Sequence, residues 1–600
     1  MKRTQQFVTV ICLLAILICA STSFAQFSST DIPGNPLIVI SQKKLDKTFA
    51  AISGTSTYAA LSTIFSDPII AQDLDYQKFL LEKEKAEVTL GYKLDGATLT
   101  KIITGYDLVI YPNTPPPGAN PTAAAMIDVP KILLLLKVAD QAKFDKLTAE
   151  LEKNYVEEAK LSNPSAIPVK SETYGGQAIK VYQMDSATPI LAMAKVNPTT
   201  TAIGDLATIK TTIDYYSKGG ASLSQNKLFK AATAGLPKKD YDLFAFVDYM
   251  KFMEIMPQQA GMPDMAATMK EDYGAMRIAA GMVFEKDKIT YDSYLPIDPT
   301  APGSFSSEMA RRNPPANMVS PSYIPEKNLL ATWGNTLDGE LIFDQFMKTI
   351  EMQLTAMGLV GPGEDPSTVI QGEMAMLESS LGFRIKDDLF LGIGPEAFFE
   401  LTSVNWPRVE ATVGVKIRDN AKIAKVLTGI ESLVNQAAGA GGQGAGAGPQ
   451  ALAEIVHEGI KIKYFNNPML LMAGYAPSYC TDGDFLLIGT TFTSLKEAIS
   501  VKKGKARSIM TSPILAKAKP YIQTKSNSVM LMDAGNTVES VSAAIMPFVQ
   551  FQLQPTEMQM LNKIIACCKT FSMVAGSNEI TTTGQTGRGV ILLNPKQINN

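Results

Sequence analysis

The chain has 600 residues, 46% of them hydrophobic, with 58 acidic side chains against 55 basic ones. A net charge of −3 leaves no basic footprint for nucleic acid, and 600 residues exceed one ordinary domain. With a single histidine, Ser-His-Asp and Cys-His machinery would rest wholly on His457, and histidine-based zinc sites of the usual type lack a second ligand.

The N-terminus, MKRTQQFVTVICLLAILICASTSFAQ, reads as a secretory signal peptide. Lys2 and Arg3 are its basic region. Phe7 to Ala20 is an apolar core too short to span a membrane comfortably. Ser23 and Ala25 supply the small residues that place cleavage after Ala25. A lipoprotein signal would acylate Cys19, but Ile18 before it is large and branched. The chain is therefore expected to be exported, periplasmic or at the cell surface. No later run of about eighteen apolar residues predicts a transmembrane helix in the mature chain.

Past the signal, PLIVIS at Pro36 predicts a strand, and Leu45 to Ile103 predicts several helices. YDLVIY and KILLLLKV read as strands, and a helix is expected from Gln141. Asp140 stands where an N-cap would accept the free amides of its first turn. AIKVY, ILAMAKV and TTTAIGD follow as a meander of strands. Helices are expected over Leu206–Ser217 and Asn226–Ala234. The strand LFAFVD and a hairpin ending near Pro296 close this part. Consecutive strands between helices argue for an α+β fold with a largely antiparallel sheet, because strict βαβ alternation is absent.

The same grammar then recurs. LGYKLD at Leu90 answers LGFRIK at Leu381, KVADQAKFDKL at Lys137 answers KIRDNAKIAKV at Lys416, and GGQAIKVY at Gly175 answers EGIKIKYF at Glu458. SKGGASLSQNKLFKAA then LFAFVD answers KKGKARSIMTSPILAKA then VMLMD. An offset near 280 to 290 residues across four blocks indicates tandem duplication of one domain, far above a solenoid period. Copy one is expected over 27–296 and copy two over 322–600. The proline-rich segment 297–321 between them is expected to be an extended connector. Asp419 is expected to cap like Asp140, and Ser494 with Glu497 to form a capping box. The loops from Asn113 (proline-rich) and Ala437 (glycine-rich) carry no element.

Candidate chemistries are few. His457 aligns with Tyr174, which suits a half-buried aromatic position. Gly439 to Gly444 matches G-x-G-x-x-G but follows a helix inside an Ala/Gly tract, without the acidic residue that a dinucleotide site needs. Ser41–Lys44 and Ser500–Lys503 match Ser-x-x-Lys, yet no Lys-Thr-Gly accompanies them. Asp482-Gly483-Asp484 reads as a hairpin turn rather than a calcium loop. Asp248 and Asp533 match at strand ends and are expected to be turn or cap residues. Methionines crowd Met250 to Met282, where they suit an adaptable apolar edge better than a Cu(I) site. Three cysteines survive signal cleavage, Cys480, Cys567 and Cys568, and Cys480 could pair with either of the others.

The repeated strand–glycine–helix unit, SKGGASLSQNKLFKAATAGLP before FAFVD, and LSTIFSDPIIAQDLDYQKFL near Leu61 resemble an uncharacterised exported bacterial family, domain of unknown function three-three-five-two. The resemblance implies export and this architecture, often in tandem, and carries no site residues. No catalytic, cofactor-binding or metal residue is assigned, and no cofactor. The expected role is non-catalytic binding or assembly in the cell envelope, with an unknown protein or an apolar ligand as partner. A carrier of lipid or another apolar ligand, and a carboxylate-based hydrolase, are the alternatives. An acid-lined cleft in both copies would favour the hydrolase. An apolar tunnel would favour the carrier, and a solid core with a flat apolar face would favour assembly.

Overall fold

The structure is a computed structural model that describes residues 31–65, 74–112, 131–183, 189–251, 276–297, 305–327, 329–356, 365–405, 408–440 and 452–594. The segment read as a signal peptide, the proline-rich loop and Met253 to Met269 lie outside these residues, as does the glycine-rich loop past Ala440; Ala437 to Ala440, expected in that loop, instead end the helix Asn420–Ala440. The chain divides into two compact units, Met1–Asp298 with Leu593–Asn600, and Pro299–Leu592. Both are α+β with antiparallel sheets.

In the first unit the strands are β1 (Ile38–Lys43), β2 (Ile103–Tyr111), β3 (Lys131–Val138), β4 (Val169–Tyr174), β5 (Gln177–Gln183), β6 (Pro189–Asn197), β7 (Thr200–Gly204), β8 (Leu243–Asp248), β9 (Arg277–Phe284) and β10 (Lys288–Pro296). They lie in the order β10-β9-β8-β1-β2-β3-β7-β6-β5-β4, each neighbour antiparallel. The first strand is thus central, and β8 returns beside it. Val39, Val109, Leu133 and Phe246 bury one face under Ile209 and Ile213 of the helix Leu206–Lys218 and Phe229 of the helix Lys227–Ala234.

In the second unit they are β11 (Ala331–Thr336), β12 (Ile393–Asn405), β13 (Arg408–Ile417), β14 (Leu452–His457), β15 (Ile460–Phe465), β16 (Ser478–Asp482), β17 (Phe485–Gly489), β18 (Ser528–Met532), β19 (Phe571–Thr581) and β20 (Gly584–Leu593). Their order is β20-β19-β18-β11-β12-β13-β17-β16-β15-β14. The two orders are the same, strand for strand. Phe398, Phe485, Leu487, Leu531 and Ala575 form the second core, closed by Leu495 and Ile499 of the helix Phe492–Lys502.

The helix starts show why these segments fold as they do. Asp140 accepts from the Lys143 amide at 3.0 Å, Asp205 from Thr208 at 2.9 Å and Asp419 from Ala421 at 2.9 Å. Each pairs an amide that has no partner inside its helix.

Two expectations are corrected, and one open question is answered. The cap of the helix Phe492–Lys502 is Thr491, which accepts from the Ser494 amide at 3.2 Å, so Ser494 and Glu497 form no capping box. Only two residues separate β17 from this helix, and Thr491 also donates its hydroxyl to the buried Glu410, so one side chain joins the helix to β13. The expected connector is not extended throughout: Phe305–Arg312 is helical, and Arg312 pairs with Asp338 at 2.8 Å and Glu340 at 2.6 Å. Just beyond it, Tyr323 is buried between Phe398 and Phe485, and its hydroxyl donates to the Asp482 carbonyl at 3.0 Å. Finally, Cys480, Cys567 and Cys568 are all free thiols. Cys480 points into the second core, where burial pushes its thiol up to about 12, a poor state for exchange.

Phe485 is 2% exposed at the centre of that aromatic cluster. Replacing Phe485 with Ala should cost about 3–5 kcal/mol of stability, read from chemical denaturation of the whole chain; a loss under 1 kcal/mol would contradict this core.

Candidate functional site

The residues singled out from the sequence take structural positions. His457 ends β14, and its Nε2 lies 2.8 Å from Ser500 Oγ. Tyr174 ends β4 and donates to Asp214 Oδ2 at 2.7 Å. Asp214 and Ser500 each stand eight residues past the start of their helices, Leu206 and Phe492. The same strap thus ties a hairpin to a helix in each unit. Both hairpins turn through two residues of positive φ, Gly175 and Gly176 in one, Glu458 and Gly459 in the other.

The Ser-x-x-Lys pairs diverge. Ser41 donates to Asp107 while Lys44 pairs with Asp240 at 3.1 Å, and Ser500 meets His457 while Lys503 pairs with Asp482 at 3.2 Å. Asp482-Gly483-Asp484 is the hairpin turn between β16 and β17, with Gly483 at positive φ. Asp248 accepts from the Lys251 amide at 3.2 Å and Asp533 from the Asn536 amide at 2.9 Å, so this matched pair caps.

Two features were not visible in the sequence. The first is an apolar row on the second unit's sheet. Met530 of β18 lies opposite Trp333 of β11, Trp333 opposite Phe399 of β12, Phe399 opposite Val413 of β13, and Val413 opposite Ile488 of β17. All five are exposed, from 38% at Val413 to 54% at Trp333. Five strands at about 4.8 Å spacing make a row roughly 19 Å wide. In the first unit the same register holds Ala245, Ile40, Leu108, Leu134 and Ile203. There Leu108, Leu134 and Ile203 are partly buried against a cluster that includes Leu45, Ile102 and Phe144, all from helices.

The second is a cavity of about 520 Å³ in the second unit, lined by Thr402, Glu410, Ser494, Glu497, Asn536 and Glu539 among others. β12 and β13 supply one wall, and the helices Phe492–Lys502 and Ala534–Val549 supply the other. Glu410 is held by the Thr491 hydroxyl and by Arg408 Nε at 2.7 Å. Glu497 is half-buried, and burial, with the Glu410 charge adding to it, raises its carboxyl above the usual range. Glu400, two residues before Thr402 on the same face of β12, is fully buried. Burial pushes its carboxyl up to about 8; the nearby Thr412 hydroxyl partly offsets this and the Glu497 charge adds to it. Among the described residues, no group of three or more His, Cys, Asp or Glu side chains is placed to hold a metal ion.

Fold and site together define a two-unit antiparallel α+β protein with an open apolar sheet face. Residues 114–390 match the family model described as "Protein of unknown function (DUF3352)". This is the family that its motifs resemble, matched over 277 of the 600 residues. No curated protein and no solved structure matches the chain.

Glu400 sets a pH dependence. Its folded value of about 8 lies above the ordinary 4.5, so the folded state holds a proton that the unfolded state has released. Stability from this group is full below about pH 4.5 and falls as pH rises through 8. Comparing Glu400→Gln with the natural protein by denaturation at pH 5 and pH 8 should show that the substitution removes this part of the slope; parallel curves would contradict it.

Proposed function

We propose that this is an exported bacterial protein of two tandem homologous domains that acts by non-catalytic binding in the cell envelope. Export rests on the signal-like segment ending at Ala25. No described helix is long and apolar enough to cross a membrane. The tandem reading is supported by the shared strand order and by the matched straps, Tyr174 with Asp214 and His457 with Ser500.

The observation that carries the binding role is the open row Met530–Trp333–Phe399–Val413–Ile488. Exposed contiguous apolar surface is costly in water and marks interaction sites. The first unit indicates what fits there, since it partly covers its own row with aliphatic and aromatic side chains from helices. The occupant in the second unit is a partner protein presenting an apolar helical face. A broad pleated face suits such a partner better than a lipid chain, which needs a concave pocket.

Native mass spectrometry of the chain, purified gently from its own host, should find it bound to a defined protein. Trp333→Asp should weaken that complex at least tenfold while leaving the thermal midpoint unchanged. A bare monomer, or a complex indifferent to Trp333→Asp, would sink the proposal.

A further inference from the structure

The second unit's sheet carries two projections at one end. β18 and β19 pair side by side there, Met532 opposite Val574. Between them the chain leaves through the helix Ala534–Val549, turns, and comes back through the helix Pro555–Cys568. The outgoing helix has 16 residues, which makes it about 24 Å long. Burial is confined to the base of this hairpin, at Ala534 and Cys567; no other described side chain between them is buried. Ile545, Phe548, Phe551 and Ile564 are exposed, Phe551 to 85%. The helix Leu206–Lys218 behaves otherwise, burying Ile209 and Ile213 in the first core.

The second projection stands at the same end. Met532 lies opposite Ala331, and Ala331 opposite Leu401, so residues 402–405 of β12 run past that end before the chain turns to Arg408. There Arg408 lies against Gly474, and the Ala476 amide donates to the Thr490 carbonyl at 3.1 Å. These contacts seat the connection from β15 to β16, whose helix Pro468–Met472 has no buried residue. All of residues 467–473 are exposed, Met472 to 89%.

Both projections lack charge. Residues 540–556 and residues 464–481 hold no Asp, Glu, Lys or Arg, in a chain that is 19% charged. The first charge past the hairpin tip, Glu557, accepts from the Gln554 amide at 2.8 Å as part of a helix cap. The first unit does not repeat this. Its connection from β8 to β9 holds Lys251, Glu254, Asp264, Lys270, Glu271 and Asp272, and that from β5 to β6 holds Asp185. In water, charge is favourable on a surface and exposed phenylalanine is not. A bilayer interface reverses both preferences, because it buries apolar side chains and disfavours charge. Shape separates lipid from a folded partner. The projections are convex and distinct, so a fluid surface closes around each, whereas a protein would need a matching hollow for each.

We propose that this end of the second unit docks on a lipid bilayer, with Phe548 and Phe551 of the hairpin and Met469 and Met472 of the short helix entering the headgroup region. With no cation in either uncharged stretch, the attraction is apolar and needs no anionic lipid. This contact is separate from the open row around Trp333 and does not depend on it.

Flotation of the full chain with phosphatidylcholine vesicles tests this. The chain should float, equally well when phosphatidylglycerol is added and when salt is raised. Phe548→Ser combined with Phe551→Ser should lower binding at least tenfold, and so should Met469→Ser combined with Met472→Ser. The thermal midpoint should stay level in both, since all four side chains are exposed. Trp333→Asp should leave flotation unchanged. A chain that stays in the dense fraction, flotation that either double variant leaves intact, or flotation that needs phosphatidylglycerol and is lost in salt would overturn the proposal. So would a dimer in solution that the Phe548→Ser and Phe551→Ser variant dissociates in sedimentation velocity, since the hairpin would then belong to a second copy.

Discussion

The structure depends on the first strand of each unit lying at the centre of its sheet. β1 is flanked by β2 and β8, and β11 by β12 and β18, so strands far apart in sequence must close on it. Once these ladders form, strand alternation decides the face of every side chain. Thr332 then points into the second core and its neighbour Trp333 points away from it. The buried row of Thr332, Glu400 and Thr412 and the open apolar row are therefore two sides of one register. A slip of one residue would exchange them.

The two units answer the same geometric problem differently. The first fills its buried row with Val39, Val109 and Leu133, and partly covers the opposite face with helix residues such as Leu45 and Phe144. The second puts Glu400 and Thr412 in the buried row and leaves Trp333 and Phe399 in the open. Both choices are unfavourable for an isolated fold, one through desolvation and the other through exposed apolar surface. Both lie in the second unit. The first unit has buried polar groups of its own on the neighbouring places, since the Gln42 amide and Asp107 Oδ2 are buried without a hydrogen-bond partner.

Much of the local structure was legible beforehand because its causes are local. Asp140, Asp419 and Asp533 cap where an acid follows a strand and precedes a periodic helix, and Gly483 turns the hairpin expected of it. Failures came where a distant partner decided. Thr491 displaced Ser494 as cap because Thr491 also reaches Glu410 on another strand. The proline-rich connector contains a helix whose Arg312 pairs with Asp338 and Glu340. The state of Cys480, left open by the sequence, is a free thiol buried in the second core.

By itself the sequence determined the antiparallel α+β class, the recurrence of one block order and the family resemblance. These are written in composition, in periods of 2 and 3.6 residues, and in short-range capping chemistry, none of which needs a distant contact. Only the tertiary structure decided which side of each strand is buried. FFELTSV reads as an ordinary strand until β11 and β13 place Phe399 in the open and Glu400 in the dark. That choice rests on long-range pairing, and register is a property of two segments together, carried by neither alone.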